Sequence, residues 1–190
     1  MSLTEQSVLD SLRHYADPNT GKDYVASRWV KNLRISGADV SFDIELGYPA
    51  KSQVDGIRQA LIAQVRSVPG VGNVSANVFS KIVAHAVQQG AKLLPGVKNI
   101  IAVASGKGGV GKSTTAANLA LALAAEGASV GMLDADIYGP SQPTMLGISG
   151  RPESKDGKGL EPMEGHGIQA ISIGFLIDVD TPMVWRGPMV

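Results

Sequence analysis

The sequence predicts an α/β protein in which a small α+β domain is followed by the first part of a doubly wound, mainly parallel sheet. Three observations support this class. In the first half of the chain, apolar residues alternate along short segments, as in half-buried strands. Other apolar residues recur every three or four positions, which indicates amphipathic helices. In the second half, an apolar segment leads into a glycine-rich loop and an Ala- and Leu-rich segment, as in a strand–loop–helix unit.

The first domain is predicted over residues 1–80, with the element order α-β-β-α-β. The predicted elements are a helix at 3–15, strands at 33–36 and 40–46, a helix at 53–68 and a strand at 74–78. The tripeptide Gly37-Ala38-Asp39 between the first two strands indicates a hairpin. A unit of this size is near the lower limit for folding without a metal or a disulfide.

The second domain is predicted over residues 98–190, after a connector at 81–97 that ends in Leu94-Pro95-Gly96. The predicted elements are strands at 99–104, 129–133 and 169–176 and a helix at 114–126. The strand at 99–104 is uniformly apolar and is expected to be buried on both faces. The polar, Gly-rich segment 150–167 is expected to be a loop.

The loop between the first predicted strand and helix carries the motif on which the functional prediction depends. Residues Gly106–Thr114 fit the pattern G-x-x-x-x-G-K-[ST] of P-loop NTPases. Glycines let the backbone wrap a phosphate, and the following helix offers it unpaired N–H groups at its positive end. The sequence therefore predicts a nucleoside-triphosphate site.

A dinucleotide site is the main alternative for the same loop. Residues Gly106–Gly111 also fit G-x-G-x-x-G, and Asp134 follows at about the position of a ribose-binding acid. Lys112 and Ser113 decide between the two interpretations. Binding of a dinucleotide does not require a cation and a hydroxyl at the helix start, whereas binding of Mg·ATP requires both.

All nine residues of the loop are predicted to contact ATP. They are Gly106, Lys107, Gly108, Gly109, Val110, Gly111, Lys112, Ser113 and Thr114. Lys112 is expected to act in catalysis by neutralising the β- and γ-phosphates, and Ser113 is expected to ligate Mg²⁺. In the alternative interpretation, Ser113 and Thr114 are ordinary hydroxyls at a helix start.

Composition argues against several classes of partner. The chain has 17 Lys and Arg against 17 Asp and Glu, so no net charge draws it to nucleic acid or an anionic membrane. No apolar run approaches the ~20 residues of a membrane-spanning helix, and the first residues lack a signal-peptide pattern. The chain contains no cysteine, which excludes disulfides and thiolate metal sites within it. We expect a cytoplasmic protein without nucleic-acid or membrane partners.

Three stretches of the second domain resemble the Mrp (ApbC) family of iron–sulfur cluster carrier ATPases, which have a deviant phosphate loop. They are Ser105–Thr114, with Lys107 as a second lysine, Leu133–Ser141, which reads LDADIYGPS, and Trp185–Met189, which reads WRGPM. The first domain resembles the MIP18-like domain that commonly precedes this ATPase, through Asp17-Pro18 and Val68-Pro69-Gly70-Val71.

The resemblance implies an ATPase that works as a homodimer and delivers clusters to apoproteins. It implies a catalytic role for Lys107, which would reach the nucleotide of the partner subunit, and for Asp136, which would orient the attacking water. Family members hold the cluster through a C-x-x-C motif late in the ATPase domain. Any iron–sulfur cluster is therefore expected to bind through residues absent from this chain.

Two other functions stay open at this point. One is an ATPase switch of the partition or septum-placement type, and the other is a non-catalytic adaptor that acts through its first domain. Residues 98–190 are fewer than a complete doubly wound NTPase sheet needs, so we expect the chain to be truncated. We also expect the chain as given to have weak or no ATPase activity.

Overall fold

The computed structural model describes residues 3–84 and 94–177. The chain divides into two compact units, Met1–Ile100 and Ile101–Val190. The predicted boundaries at 80/81 and 97/98 stay predictions. Most of the predicted connector, and the Trp185–Met189 stretch, lie outside the described residues.

The first unit has the predicted order α-β-β-α-β. Its elements are α1 (Glu5–Arg13), β1 (Val30–Ser36), β2 (Asp39–Leu46), α2 (Val54–Arg66) and β3 (Val74–Ser80). The strands form one sheet in the order β1-β2-β3, in which β1 and β2 form the predicted antiparallel hairpin. Because β3 pairs parallel to β2, α2 is the crossover between two parallel strands.

The core of the first unit lies between one face of β2 and the two helices. The alternation predicted from the sequence is confirmed, because every second side chain of β2 is at most 2% exposed: Val40, Phe42, Ile44 and Leu46. The helices contribute the buried side chains Val8, Leu12, Ile57, Leu61 and Val65. These side chains form one cluster, and burying each large one contributes about 1.5–3 kcal/mol.

The second unit contains fewer regular elements. They are α3 (Lys112–Ala125), β4 (Gly131–Asp134), α4 (Gln142–Leu146), β5 (Met163–Gly165), β6 (Ile168–Ser172) and a 3-10 turn at Ile173–Phe175. The strand order is β4-β6-β5, with β4 parallel and β5 antiparallel to β6. The described strands thus form a small mixed sheet in each unit, and a doubly wound, mainly parallel sheet stays a prediction.

Two sequence predictions for the second unit were wrong. The segment 99–104 is not a strand in the structure, and Ile100 and Ile101 are 73% and 60% exposed. A strand requires a neighbour for its backbone hydrogen bonds, and no described strand pairs with this segment. The expected loop 150–167 contains β5, which turns back into β6 through His166 and Gly167, both at positive φ.

A compact apolar cluster joins α3, α4 and β6. Its buried members are Ala117, Ala120, Leu146, Ile168, Ala170 and Phe175. Because these residues hold the start of α3 near the carboxyl ends of β4 and β6, they position the loop and the strand ends described below. Among the residues that the structure describes, none of the helices has the length and apolarity needed to cross a bilayer.

Candidate functional site

The glycine-rich loop leads directly into α3. Gly111 is the residue before the helix, with φ of +88°, and Gly109 has φ of +72°. Both lie in the left-handed region, where a side chain is strained, so the loop conformation itself requires glycine there. At Gly106 and Gly108 an added Cβ would meet no protein atom within 4 Å. Packing against the protein therefore does not require glycine at those two positions, and an approaching ligand would explain them.

Ser105 holds the start of the loop. Its hydroxyl accepts a hydrogen bond from the backbone N–H of Lys107 at 3.1 Å and donates one to the carbonyl of the same residue at 3.2 Å. The two contacts close a tight turn around the first glycine of the motif. Lys107 is exposed, so its ammonium group is accessible to a ligand or a partner.

The first turn of α3 offers backbone donors to an anion. Gly111 has no side chain with which to cap the helix, and the first helical hydrogen bond runs from Thr115 N–H to the Gly111 carbonyl at 2.9 Å. The N–H groups of Lys112, Ser113 and Thr114 precede that bond and have no partner within the helix. Together with the helix dipole they make this end attractive to phosphate. Lys112 and Ser113 are half-buried beside them.

The carboxyl end of β4 is organised by the Asp134 carboxylate. Its Oδ2 accepts hydrogen bonds from the backbone N–H groups of Ser141 and Gln142, both at 3.2 Å, and from the hydroxyl of Ser172 at 2.9 Å. Its Oδ1 accepts from the N–H of Asp136 at 3.2 Å. Asp134 therefore fixes the segment 135–142 to the end of β6.

Asp136, the predicted water-orienting residue, lies on that segment. Its side chain is exposed, and its Oδ1 accepts a hydrogen bond from the N–H of Gly139 at 3.1 Å. This contact holds the turn from 136 to 139 closed. The described contacts do not join Lys107, Lys112 and Asp136 to one another, so the predicted catalytic set stays a prediction.

Gln142 makes the link to the loop, and the sequence prediction missed it. Its side chain is 4% exposed, and its Nε2 donates to the carbonyl of Ser113 at 3.2 Å. The first turn of α3 is thus attached to the segment that begins at Asp134. The nearest sequence signal was Pro143, which is typical of a helix start and marks Gln142 as its neighbour.

Two buried polar atoms at this place lack a partner among the described residues. They are Gln142 Oε1 and Ser141 Oγ, which lie on consecutive residues beside the first turn of α3. Buried polar atoms are nearly always hydrogen-bonded, so these two atoms have hydrogen-bonding capacity left for a group that enters the site. Together with the open glycine backbone, these atoms fit a hydrated metal–nucleotide complex at the loop.

The first unit has a second polar centre, at Asp17, whose side chain is fully buried. Its Oδ1 accepts hydrogen bonds from the hydroxyls of Tyr24 and Tyr48, and its Oδ2 accepts from the N–H and hydroxyl of Thr20. Burial alone would raise the pKa of this carboxyl, but the hydrogen bonds outweigh burial and hold the pKa below its usual value. Asp17 is thus a buried anion that fixes the loop after α1.

No group of three or more His, Asp or Glu side chains in the described part of the chain is arranged to hold a metal ion. The sequence has no cysteine either. The described residues therefore contain no ready-made site for an iron–sulfur cluster.

Comparison with known proteins matches both units. Residues 5–78 match the family of iron–sulfur cluster assembly proteins, and residues 96–190 match the family of NUBPL iron-transfer P-loop NTPases. Similar proteins include the iron–sulfur cluster carrier protein of Synechocystis sp., which is 47% identical over 98% of this chain and 54% of its own length. The carrier protein of Haemophilus influenzae is 39% identical over 97% of this chain and 50% of its own length.

A shorter stretch of the chain has a higher identity to one relative. The iron–sulfur cluster carrier protein of Escherichia coli is 70% identical over 95 residues, which are 50% of this chain and 26% of that protein. Across the relatives that it matches along nearly its whole length, the chain spans about half of their length. The chain belongs to the family of NUBPL iron-transfer P-loop NTPases.

Proposed function

We propose that the protein binds and hydrolyses ATP with Mg²⁺ and takes part in carrying iron–sulfur clusters to apoproteins. The observation that carries the nucleotide part is the loop itself. Its backbone is open at Gly106 and Gly108, and it runs into a helix start whose first N–H groups have no partner within the helix. The cluster part rests on the family and on the function named for the similar proteins.

Each loop residue has a distinct task in this proposal. The backbone N–H groups from Gly106 to Thr114 surround the phosphates, and the Lys112 ammonium neutralises charge on the β- and γ-phosphates. The Ser113 hydroxyl is a hard oxygen donor that fits Mg²⁺. When bound, the metal stabilises the negative charge that develops on the transferred phosphoryl group.

Lys107 and Asp136 complete the catalytic set. The exposed Lys107 adds a second cation for developing phosphoryl charge, supplied to the same nucleotide or to that of a second subunit. Asp136 orients the attacking water, held in place by the turn that its Oδ1 closes with Gly139. The homodimer is part of this proposal, as is a cytoplasmic location.

The cluster is held by residues other than those of this chain. Because the sequence contains no cysteine, the thiolates that bind iron–sulfur clusters are supplied in this proposal by residues absent from this chain. The match of residues 5–78 to iron–sulfur cluster assembly proteins favours this function over a partition or septum-placement switch.

Nucleotide binding by Lys112→Ala tests the site. Losing one charge-assisted contact to phosphate weakens binding by about 10- to 100-fold, since such contacts contribute about 1.5–3 kcal/mol. The assay is titration of purified protein with a fluorescent ATP analogue and Mg²⁺. The matched control is Lys158→Ala, an exposed lysine of the same unit outside the site. Equal affinity of Lys112→Ala and the unmodified protein would refute the assignment, and absence of nucleotide binding by the unmodified protein would favour the adaptor.

A further inference from the structure

The Gln142 carboxamide is buried, and among the described residues only one of its two polar atoms has a hydrogen-bond partner. Its Nε2 donates to the Ser113 carbonyl, while its Oε1 is enclosed and has no partner among the described residues. The orientation of the amide is set by this contact, because a carbonyl accepts and cannot donate. The unpartnered atom is therefore the oxygen, an acceptor on the same carboxamide that contacts Ser113.

The side chain is also held from both ends. The backbone N–H of Gln142 donates to Asp134, and its amide donates to the first turn of α3. Ser141, the preceding residue, carries a second buried hydroxyl without a partner among the described residues. A rigidly held, buried acceptor is well suited to bind one particular donor rather than bulk solvent.

We propose that Gln142 is a positioning residue for magnesium, and that its Oε1 accepts a hydrogen bond from a water of the Mg²⁺ coordination shell. The inference rests on the proposed function, because it requires Mg²⁺ at the Ser113 hydroxyl. Mg²⁺ keeps several of its waters when it binds to proteins, and these waters are strong donors. Gln142 already contacts the backbone of the residue proposed to supply the metal ligand, which brings its side chain close to the expected shell.

The same geometry connects the metal to Asp136. The Gln142 backbone is fixed by Asp134, whose other oxygen binds the N–H of Asp136. A contact between Oε1 and the hydrated metal thus joins Ser113 to the segment that carries the proposed water-orienting residue. Outer contacts of this kind orient metal ligands and commonly change metal affinity by about 10- to 100-fold.

The test compares Gln142→Met, which keeps the length and burial but removes donor and acceptor, with Gln142→Glu, which keeps an acceptor oxygen. The probe is a fluorescent ATP analogue, titrated in EDTA and then with Mg²⁺ at fixed nucleotide. We expect Gln142→Met to need about tenfold more Mg²⁺ for half-maximal enhancement, with unchanged affinity in EDTA. The control is Gln169→Met, because the Gln169 carboxamide binds the exposed Glu164.

The outcomes separate a metal-positioning role from a structural one. The proposal predicts that Gln142→Glu reaches half-maximal enhancement at a lower Mg²⁺ concentration than Gln142→Met. A structural role predicts the reverse, because a buried carboxylate repels the Ser113 carbonyl. Unchanged Mg²⁺ dependence in Gln142→Met, or equal losses with and without Mg²⁺, would overturn the inference while leaving the nucleotide site intact. If Gln142→Met does not fold, Gln142→Glu is compared with the unmodified protein. A higher Mg²⁺ concentration for half-maximal enhancement in Gln142→Glu overturns the inference, and an unchanged concentration supports it. If the unmodified protein binds no nucleotide, both proposals fall.

Discussion

Replacing the buried Asp17 by asparagine should strongly destabilise the first unit. The change keeps the shape of the side chain but removes the charge that four hydrogen bonds from Thr20, Tyr24 and Tyr48 share. A hydrogen bond to a charged group contributes about 1.5–3 kcal/mol and a neutral one about 0.5–1.5 kcal/mol. Asparagine keeps one acceptor oxygen, and its NH2 group cannot accept the two bonds made to the other oxygen. Two bonds weakened by about 1 kcal/mol each and two lost at about 1 kcal/mol or more each lower the free energy of unfolding by roughly 4 kcal/mol or more.

The assay is urea or thermal unfolding of the unmodified and Asp17→Asn proteins, followed by circular dichroism. For a unit of this size the expected loss lowers Tm by on the order of 20 °C. The control is Asp10→Asn, which removes an exposed ion pair with Arg13 that contributes about 0.2–1 kcal/mol at most. A loss for Asp17→Asn no larger than that of Asp10→Asn would refute the reasoning.

The same carboxylate gives the stability an acid dependence. The folded pKa of Asp17 lies below the ordinary value of 3.8, since the hydrogen bonds to the ionised form outweigh burial. The stabilisation is therefore fully present above the ordinary pKa and is lost as the pH falls through the folded pKa. Asp17→Asn should show a flatter acid dependence than the unmodified protein.

Two further predictions concern alkaline pH and glycine packing. Burial, with the hydrogen bond to Asp17 and its charge, raises the pKa of Tyr48 to about 12, so stability should hold below pH 10 and decrease between pH 10 and about 12. Tyr48→Phe should flatten that decrease in pH-dependent unfolding, and an unchanged profile would contradict it. Gly165→Ala places a Cβ 2.7 Å from Ile148 and should lower stability by about 1–3 kcal/mol in calorimetry. Gly131→Ala, whose Cβ meets nothing within 4 Å, should not, and equal effects would refute the clash.

Local periodicity was sufficient to predict the first unit because its core is built from nearby segments. The helix at 53–68 and the strand at 74–78 were observed as α2 and β3, within two residues at each end. The alternation along β2 correctly identified which face of the strand is buried. In this unit the pattern of apolar side chains and the partners that cover them lie within the same 80 residues.

The strand predicted at 99–104 shows what a local pattern leaves out. A run of apolar residues reports a preference for burial, but a strand also needs a neighbouring strand, which periodicity does not reveal. Ile100 and Ile101 are mostly exposed because no described strand pairs with this segment. The prediction of a strand buried on both faces was therefore wrong in both respects.

The sequence predicted one part of the candidate site and missed another. The loop from Gly106 to Thr114 is a contiguous motif, so the sequence predicts it directly. Gln142 was missed because its importance comes from a contact with Ser113, 29 residues earlier in the chain. A lone glutamine before a proline carries no chemical signature, and its unpartnered oxygen becomes visible only in three dimensions.

The saturated carboxylate at the end of β4 has a consequence for how tightly the site can bind. Because donors from the protein itself occupy both oxygens of Asp134, the segment 135–142 is ordered before any ligand arrives. Binding then does not have to immobilise that backbone, which would otherwise oppose association by about 1–2 kcal/mol for each residue fixed. Folding carries this entropic cost once, so the site is preorganised on the side that faces the start of α3.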